Sequence, residues 1–460
     1  MKTLAERYPS MHLVGIGGVG MEGMARLLRA EGICVTGSDM SSSRALNLLR
    51  EDGFEVFAGH LAAQVGTADL LVYSAAIPEG NEEVVAARKR GIPCVNRAEL
   101  LGELSRSRYS LAVAGTHGKT TSSAMLAAIL RGAGRQPDVL VGGWVEGRAQ
   151  AEKGRGQTLV VEADEYARSF LTLYPDMVLI TCIDAEHLDC YGSLREIEQT
   201  FVQFIDRLPF YGIALIGGDG LVSNAVREET HRRCKTYGLG AECDYRIENV
   251  QERKWGSRFA LHLHGRVLGE VELQVPGLHN VRNAAGAAAM ALELDIAFAD
   301  IAAALATFES VDRRFQLKGE VDDICVVDDY AHHPTELAAV LATARASGRR
   351  VIAVFQPHLY SRTRDFAEDF ARELTRADRV VLTEVYPARE HPLPGVNGRL
   401  IEKALRGAGY TEVDFVEDVG ALAQHLARQC QPGDMVLMMG AGDIGEVAEE
   451  LVGVLYGSRS

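Results

Sequence analysis

The chain has 460 residues, of which 47% are hydrophobic and 24% charged, a composition that predicts a globular protein of about two to four domains at roughly 100–200 residues each. Its formal net charge of −15 argues against a nucleic-acid backbone as the main partner. The eight cysteines include no C-x-x-C pair, which argues against a zinc site or a disulfide framework and fits a reducing cytoplasm.

The first predicted block contains a glycine-rich turn. A short apolar strand at 12–15 leads into this turn, which precedes a helix that ends near Ala30. Asp39 closes the next strand, 22 residues after the second glycine of the turn. This pattern brings a pyrophosphate close to a helix N-terminus and an acid close to a ribose. It does not separate NAD from another nucleotide diphosphate, and the alternative is a glycine-rich packing corner. The four glycines are Gly15, Gly17, Gly18 and Gly20.

The second block opens with a phosphate loop. An apolar strand turns through two glycines into Lys119 and Thr120, and a helix follows to about Arg131. Such a loop offers backbone N–H groups to phosphate oxygens, a lysine to the β- and γ-phosphates and a hydroxyl to Mg²⁺. The match to G-x-x-x-x-G-K-[ST] is incomplete, because Val113 stands where the first glycine is required. The alternative is a strand–turn–helix corner whose glycines serve only geometry.

Acidic residues follow two later strands of this block. Glu162 ends one strand, and the segment 184–189, which contains His187, follows the next. The carboxyl ends of parallel strands converge on one crevice, and oxygen ligands suit Mg²⁺. We therefore expect Glu162 and His187 to hold a metal. The other acids are equally well explained as solvated charges of a loop.

The segment 245–275 alternates like antiparallel strands. The alanine-rich stretch 284–308 contains three acids and predicts soluble helices.

The third block repeats the β/α pattern and ends two of its strands in polar segments. The first is Asp328–Pro334, with adjacent histidines, and the second is Gln356–Arg364, with two arginines in a predicted loop. Arginines in such a loop suit a carboxylate or a phosphate. The histidines are equally consistent with proton carriers and with simple hydrogen-bonding groups.

The ordered series of motifs resembles the Mur ligase family over essentially the whole chain. Its carriers are GIGGVGMEGMA, GTHGKTT, VEADE, DAEHLD, GLHNVRNAAGA, DRRFQ, DDYAHHPTE, FQPHLYSRTRD and GAGDIG. The resemblance implies an α/β protein with the three-domain architecture of that family. The implied domains are a UDP-sugar-binding Rossmann-like domain at 1–107, a central P-loop-type ATP-binding domain at 108–313, and a C-terminal Rossmann-like domain at 314–460 that binds the amino acid and closes over ATP.

The activity implied by the resemblance is an ATP-dependent carboxylate–amine ligase of peptidoglycan precursor synthesis. It would join L-alanine to the carboxylate of UDP-N-acetylmuramate through an acyl phosphate, with Mg²⁺ as cofactor. The chain would be cytoplasmic, a monomer or weak homodimer, with neither nucleic acid nor an inserted membrane segment as partner. A recycling ligase that attaches a tripeptide to the same sugar is the alternative within the family. An NAD-dependent oxidoreductase and an inactive nucleotide sensor are alternatives of other classes.

The resemblance also implies a role for each matching residue. The UDP-sugar residues would be the four glycines of the first turn with Asp39 and Ser74. Thr120 and Glu162 would hold one Mg²⁺, and His187 a second near the acyl group. The amino-acid residues would be His332, Arg362 and Arg364, and the catalytic residues Lys119, His187, His332 and Arg362. The ATP residues would be Gly115, Thr116, His117, Gly118, Lys119, Thr120, Thr121, Asn280, Asn283, Arg313, Asp329 and Tyr330.

Overall fold

A computed structural model describes residues 3–40, 44–145, 148–184, 190–388 and 390–457, and it contains three β-sheets flanked by helices. This is the α/β class expected from the alternation of strands and helices. No helix among the described residues is both long and apolar enough to cross a membrane.

The first sheet has the strand order β3-β2-β1-β4-β5, and every pairing in it is parallel. This is the predicted Rossmann-like arrangement, in which the strand order reverses beside β1 and opens a crevice at the carboxyl ends of the strands. The sequence pattern missed β3. The elements are α1 (Leu4–Arg7), β1 (Ser10–Val14), α2 (Val19–Ala30), β2 (Cys34–Asp39), α3 (Arg44–Glu51), β3 (Glu55–Ala58), β4 (Leu70–Tyr73), α4 (Glu82–Lys89), β5 (Cys94–Asn96) and α5 (Arg97–Arg106).

The second sheet has ten strands in the order β15-β14-β13-β12-β11-β10-β6-β9-β7-β8. Its central strands β6, β9 and β10 are parallel and almost fully buried, because helices cover both faces. The antiparallel pair β7–β8 was not expected from the sequence. The elements are β6 (Tyr109–Ala114), α6 (Lys119–Gly132), β7 (Asp138–Val145), β8 (Arg148–Glu152), β9 (Thr158–Glu162), β10 (Met177–Ile180), α7 (Leu194–Asp206), β11 (Ile213–Gly217), α8 (Leu221–Glu229), β12 (Cys234–Gly238), β13 (Tyr245–Arg253), β14 (Gly256–Leu263), β15 (Arg266–Leu273), α9 (Leu278–Leu292) and α10 (Phe298–Ala306).

The third sheet has the order β16-β17-β21-β18-β19-β20, and only β16 runs antiparallel to its neighbour. The four parallel strands expected from the sequence are present, and β16 and β20 are additional. The elements are β16 (Gln316–Val321), β17 (Ile324–Asp329), α11 (Pro334–Ala346), β18 (Arg350–Phe355), α12 (Tyr360–Leu374), β19 (Arg379–Thr383), α13 (Arg399–Gly407), β20 (Val413–Val416), α14 (Leu422–Ala427), β21 (Asp434–Met439) and α15 (Ile444–Gly457). Short 3₁₀ segments occur at Ala62–Val65, Tyr166–Thr172 and Val419–Ala421.

Spatial proximity divides the chain into two compact units. The first unit holds the first sheet and most of the second, and the second unit holds the third sheet with two short segments from the region around β13–β15 and α9. The first unit is Met1–Glu248, Ala260–Val271 and Arg282–Thr307, and the second is Asn249–Phe259, Glu272–Val281 and Phe308–Ser460. The domain boundaries expected near 107 and 313 stay a prediction.

A buried cluster of charges joins the first two sheets within the first unit. Arg108, which precedes β6, forms ion pairs with Glu31 at the end of α2 and with Asp138 at the start of β7. The Asp138 side chain is fully buried and also lies 3.3 Å from Lys153 Nζ. Because a buried carboxylate needs compensating charge, Arg108 fixes the helix that follows the glycine turn against the second sheet.

We predict that Arg108→Ala lowers the free energy of unfolding by about 3 kcal/mol, because it leaves Asp138 buried with Lys153 as its remaining cation. Urea denaturation measures this change. Arg131→Ala is the control, since it breaks an ion pair with Glu152 in which both side chains are exposed, and its effect should be much smaller. Equal losses of unfolding free energy for the two variants would contradict the stabilising role given to Arg108.

Candidate functional site

The glycine turn lies between β1 and α2, at the carboxyl end of the first sheet. The N–H groups of Gly15 and Ile16 donate to the Ser38 carbonyl, and Gly17 N–H donates to Asp39 Oδ2 at 2.9 Å. The acid that the sequence places near a ribose therefore also holds the turn in place. Gly18 caps α2 without a side-chain hydrogen bond, so the first N–H groups of the helix face the crevice without a capping side chain.

Arg97, which sequence reasoning did not select, lies beside this turn. A methyl group on Gly20 would lie 2.8 Å from Arg97 Nη1. The Arg97 side chain is half-buried, and within the described residues its guanidinium forms neither a hydrogen bond nor an ion pair. A cation without a counter-ion beside a helix N-terminus attracts an anion. The only signal in the sequence was the position of Arg97 directly after a predicted strand.

The phosphate loop is shaped by two glycines that other residues could not replace. Gly115 and Gly118 have φ values of 125° and 80°, a region that side chains rarely adopt. A methyl group would lie 2.2 Å from Thr181 Oγ1 at Gly115 and 2.3 Å from Asn283 Oδ1 at Gly118. The loop therefore needs both glycines, and Asn283, one of the two expected adenine residues, lies against it.

Lys119 is held in the loop by an ion pair that sequence reasoning missed. Its Nζ donates to Gly115 O at 2.7 Å and lies 2.8 Å from Oε2 of Glu165, whose side chain is 3% exposed. Burial opposes the charged ammonium, but the carboxylates of Glu165 and Asp164 outweigh it and raise the pKa of Lys119. Burial raises the pKa of Glu165, and the ammonium offsets part of that effect. Lys119 is thus a protonated cation at the phosphate loop.

Two oxygen ligands meet next to this lysine. Thr120 Oγ1 donates to Glu162 Oε2 at 3.0 Å, and the same carboxylate oxygen accepts the Gly142 N–H at 2.8 Å. Thr120 opens α6 and Glu162 ends β9, so both stand at the carboxyl edge of the second sheet. A hydroxyl and a carboxylate beside a phosphate loop fit Mg²⁺, which prefers oxygen ligands. The metal role predicted for His187 lies outside the described residues.

The rest of the loop is hydrogen-bonded to the end of β10. Thr116 Oγ1 accepts the Asp184 N–H at 2.9 Å, and His117 Nε2 lies 3.5 Å from the Asp184 carboxylate. Thr121 is buried in the first turn of α6. Asn280 belongs to the second unit and donates to Pro276 O, so its expected role at adenine stays a prediction.

One pocket of about 330 Å³ extends from the glycine turn to Glu162. Gly18, Gly20, Ser74 and Arg97 line one side of it, and Gly142, Glu162 and Asp164 line the other. Small-molecule sites have this size and concave form. The pocket is therefore a candidate site for a ligand that lies between the glycine turn of the first sheet and Glu162 at the edge of the second.

The second unit contains a network around Arg313, at the carboxyl end of β17. Arg313 pairs with Asp328 at 3.1 Å and donates to the carbonyls of Gly440 and Gly442. Asp329 accepts the N–H groups of Phe315 and Ala331, and burial raises its pKa to about 7. Arg313 also lies over the Tyr330 ring, at 5.1 Å from its centroid. The expected nucleotide contacts of Arg313, Asp329 and Tyr330 stay a prediction.

Aromatic rings and imidazoles line up beside this network. The His332 ring lies 5.3 Å from Tyr330 and 5.7 Å from His358, and His358 stacks on Tyr386 at 5.9 Å. Arg362 Nη1 lies 3.4 Å from His358 Nδ1, which brings the arginine to the same cluster. His358 and Tyr386 were not selected from the sequence, because only the fold brings the ends of β18 and β19 together.

The expectation of two arginines in one loop was wrong. Arg362 and Arg364 are the third and fifth residues of α12, which begins at Tyr360. Residues two apart on a helix point about 200° apart, so the two side chains diverge. Arg364 is exposed and bonded to Asp365, whereas Arg362 lies at the imidazole cluster.

Three segments of the chain match models of one protein family. Residues 10–109 match "Mur ligase family, catalytic domain", residues 113–291 match "Mur ligase middle domain", and residues 313–442 match "Mur ligase, glutamate ligase domain". The chain is 44% identical over 445 residues to a UDP-N-acetylmuramate–L-alanine ligase of Geobacter sp. (strain M21), covering 96% of each.

Two solved structures resemble the whole chain. The UDP-N-acetylmuramate-alanine ligase of Thermotoga maritima superposes with a TM-score of 0.84 at 30% identity, covering 98% of this chain and 100% of that one. A murein peptide ligase of Psychrobacter arcticus gives a TM-score of 0.70 at 25% identity, covering 97% and 98%. The three sheets thus match the three-domain architecture of these enzymes.

We predict that Lys119→Ala weakens ATP binding about 100-fold, because the triphosphate loses charge-assisted hydrogen bonds worth about 1.5–3 kcal/mol each. Isothermal titration calorimetry measures the affinity. Lys235→Ala is the control, since this lysine of the same sheet pairs with Glu293 and does not touch the loop. ATP binding by Lys119→Ala at the strength of the control would remove Lys119 from the phosphate site.

Proposed function

This chain belongs to the Mur ligase family, a family of ATP-dependent ligases, and from that premise we propose that it joins L-alanine to the carboxylate of UDP-N-acetylmuramate. The pocket shared by the glycine turn and Glu162 carries the proposal. A nucleotide sugar whose diphosphate lies at the N-terminus of α2 would extend its carboxylate along this pocket toward the phosphate loop.

The proposed chemistry starts with activation of the carboxylate. A carboxylate is a poor electrophile, so its oxygen first attacks the γ-phosphate of ATP, which gives an acyl phosphate and ADP. Two anions must approach each other in this step, and Lys119 reduces their repulsion at the β- and γ-phosphates. Gly115 and Gly118 give the loop its shape, because side chains there would collide with Thr181 and Asn283.

Thr120 and Glu162 would hold Mg²⁺ when ATP is bound, and the metal would neutralise phosphate charge there. The hydrogen bond between them supports this role, because Thr120 Oγ1 and Glu162 Oε2 already lie 3.0 Å apart. Gly142 N–H fixes the Glu162 carboxylate from the neighbouring strand β7. The metal role of His187 is proposed from its motif only.

The second half of the reaction needs the amine of L-alanine to attack the acyl phosphate, after which the tetrahedral intermediate collapses to the amide and phosphate. We propose His332 and Arg362 as amino-acid ligands, because they share the cluster that also contains His358. A guanidinium suits the free carboxylate of an amino acid. The exposed Arg364, bonded to Asp365, has less support in this role.

The proposal places the reaction in the cytoplasm, with the chain a monomer or weak homodimer.

The main alternative is a ligase that attaches a preformed peptide to the same sugar, and the Psychrobacter arcticus structure is that of a murein peptide ligase. The higher identity and TM-score of the alanine-adding enzyme favour L-alanine. Membership of a ligase family argues against an NAD-dependent oxidoreductase. The joint presence of Lys119, Thr120 and Glu162 in bonded positions argues against an inactive nucleotide sensor.

We predict that phosphate release from ATP in the presence of UDP-N-acetylmuramate and Mg²⁺ requires L-alanine and gives a product with the mass of UDP-N-acetylmuramoyl-alanine. Colorimetric phosphate detection and mass spectrometry measure the two quantities. Release that occurs with a tripeptide and not with L-alanine would support the peptide ligase. Absence of release with both would overturn the proposed activity.

We further predict that Arg97→Ala raises KM for UDP-N-acetylmuramate about tenfold with kcat nearly unchanged, because the half-buried cation contributes binding rather than bond formation. Arg97→Lys should recover part of the loss, since it keeps the charge and loses the planar fork. Steady-state kinetics measures both. Arg106→Ala, at the exposed end of the same helix, is the control. An unchanged KM for Arg97→Ala would exclude this arginine from the sugar-nucleotide site.

A further inference from the structure

A buried carboxylate in the first sheet has no part in the steps above. Glu83 lies in the first turn of α4, and its side chain is fully buried. His12 Nε2 lies 3.0 Å from its Oε1, and Ser38 Oγ and His60 Nδ1 lie 2.6 Å and 2.8 Å from its Oε2. A buried charge without partners is strongly destabilising, so these three contacts are what allow a glutamate at this position.

The chemistry of the donors fixes where the protons lie in this cluster. An ionised carboxylate only accepts hydrogen bonds, so both imidazoles and the Ser38 hydroxyl must donate to Glu83. His12 Nδ1 lies 2.8 Å from Thr36 Oγ1, so both ring nitrogens of His12 have a hydrogen-bond partner. Burial works to raise the pKa of Glu83, yet the hydrogen bonds from His12 and Ser38 outweigh it and hold the pKa below its usual value.

Ser38 connects this cluster to the glycine turn. Its carbonyl accepts the N–H groups of Gly15 at 2.8 Å and Ile16 at 3.1 Å, while its hydroxyl donates to Glu83. The next residue, Asp39, accepts the N–H of the second glycine of the turn. The residue that binds Glu83 through its side chain therefore holds the start of the turn through its main chain.

His60 is the second route from Glu83 toward the site. Its Nδ1 proton is held by the carboxylate, which leaves Nε2 as an acceptor when the ring is neutral. In the described part of the chain, Nε2 makes no hydrogen bond, and the ring is partly exposed beside Gly59, whose N–H donates to the Asp39 carbonyl. His60 thus lies next to the turn with one ring nitrogen available.

We propose that Glu83 is a positioning residue for the nucleotide-diphosphate end of the site, which it orders through Ser38 and His60. The inference rests on the proposed function, because it takes a uridine diphosphate sugar as the ligand of the turn. A network that only stabilised the core would affect unfolding and leave affinity at the turn unchanged. A positioning network affects the affinity for the diphosphate and leaves the chemistry at the phosphate loop intact.

The test is Glu83→Gln in the full chain, with UDP as the probe. The glutamine side chain has an NH₂ group in place of one carboxylate oxygen. This group cannot accept the hydrogen bonds that His12, Ser38 and His60 donate to Glu83, so the cluster rearranges around Ser38. We expect Kd for UDP and KM for UDP-N-acetylmuramate to rise about tenfold, which corresponds to about 1.4 kcal/mol. We expect kcat and KM for ATP to stay within about twofold, since only substrate binding is affected.

Ser38→Ala is the second variant, and it decides the question if Glu83→Gln does not fold. It removes one hydroxyl and keeps the main-chain contacts, so KM for the sugar nucleotide should rise about threefold, as for loss of one hydrogen bond. Asp52→Asn is the matched control, because it breaks an ion pair with Arg26 and leaves the contacts of Glu83 with His12, Ser38 and His60 intact, so both constants should stay unchanged.

Two outcomes are decisive. In the first, the wild-type chain binds UDP and the variants bind it equally well, although their melting temperature is lower. This result would overturn the inference and leave the proposed function standing. Wild-type chain that neither binds UDP nor forms the alanine product would overturn the proposed function and this inference with it.

Discussion

The site depends on two helices that begin with a glycine. Gly18 before α2 and Gly118 before α6 provide no capping side chain, so the first N–H groups of each helix need water or an anion as acceptor. A serine or aspartate cap would satisfy these groups internally and fill the space that a phosphate must occupy. The uncapped helix ends therefore cost a little helix stability and leave N–H groups that suit an anion at the carboxyl ends of two sheets.

Strand register connects the two sites. Glu162 pairs with Val113 in the parallel ladder between β9 and β6, which sets its carboxylate beside the hydroxyl of Thr120. A shift of one residue would turn this side chain to the other face of the sheet and leave the hydroxyl without its partner. Glu162 also lines the pocket that reaches the glycine turn. The same residue is thus fixed by the strand pairing of the second sheet and faces the pocket that reaches the glycine turn of the first.

The sequence was sufficient for features that rest on local pattern. Glycine turns after apolar strands predicted both helix ends, and the β/α alternation predicted parallel strands in three blocks. Features that depend on long-range contacts were missed. Glu165 was one of several acids in its motif, and only burial against Lys119 distinguishes it. Arg97 was recognisable only once the fold placed it beside Gly20. Arg362 and Arg364 were assigned to a loop, because the residue before Tyr360, where α12 begins, is not a typical helix-capping residue.

The two cations of the site reach their positions by different physical means, and the difference affects how each contributes to binding. Lys119 is almost fully enclosed, so it needs Glu165 as counter-ion, and an incoming phosphate must compete with that carboxylate. Arg97 is half-buried without a counter-ion in the described structure, so a phosphate bound there would not have to displace a carboxylate. At Lys119 the weakened ion pair with Glu165 therefore reduces the favourable free energy of phosphate binding. At Arg97 only the cost of desolvation reduces it. The proposed site would in this way let an acidic protein bind polyphosphates through two positioned cations, without a basic surface.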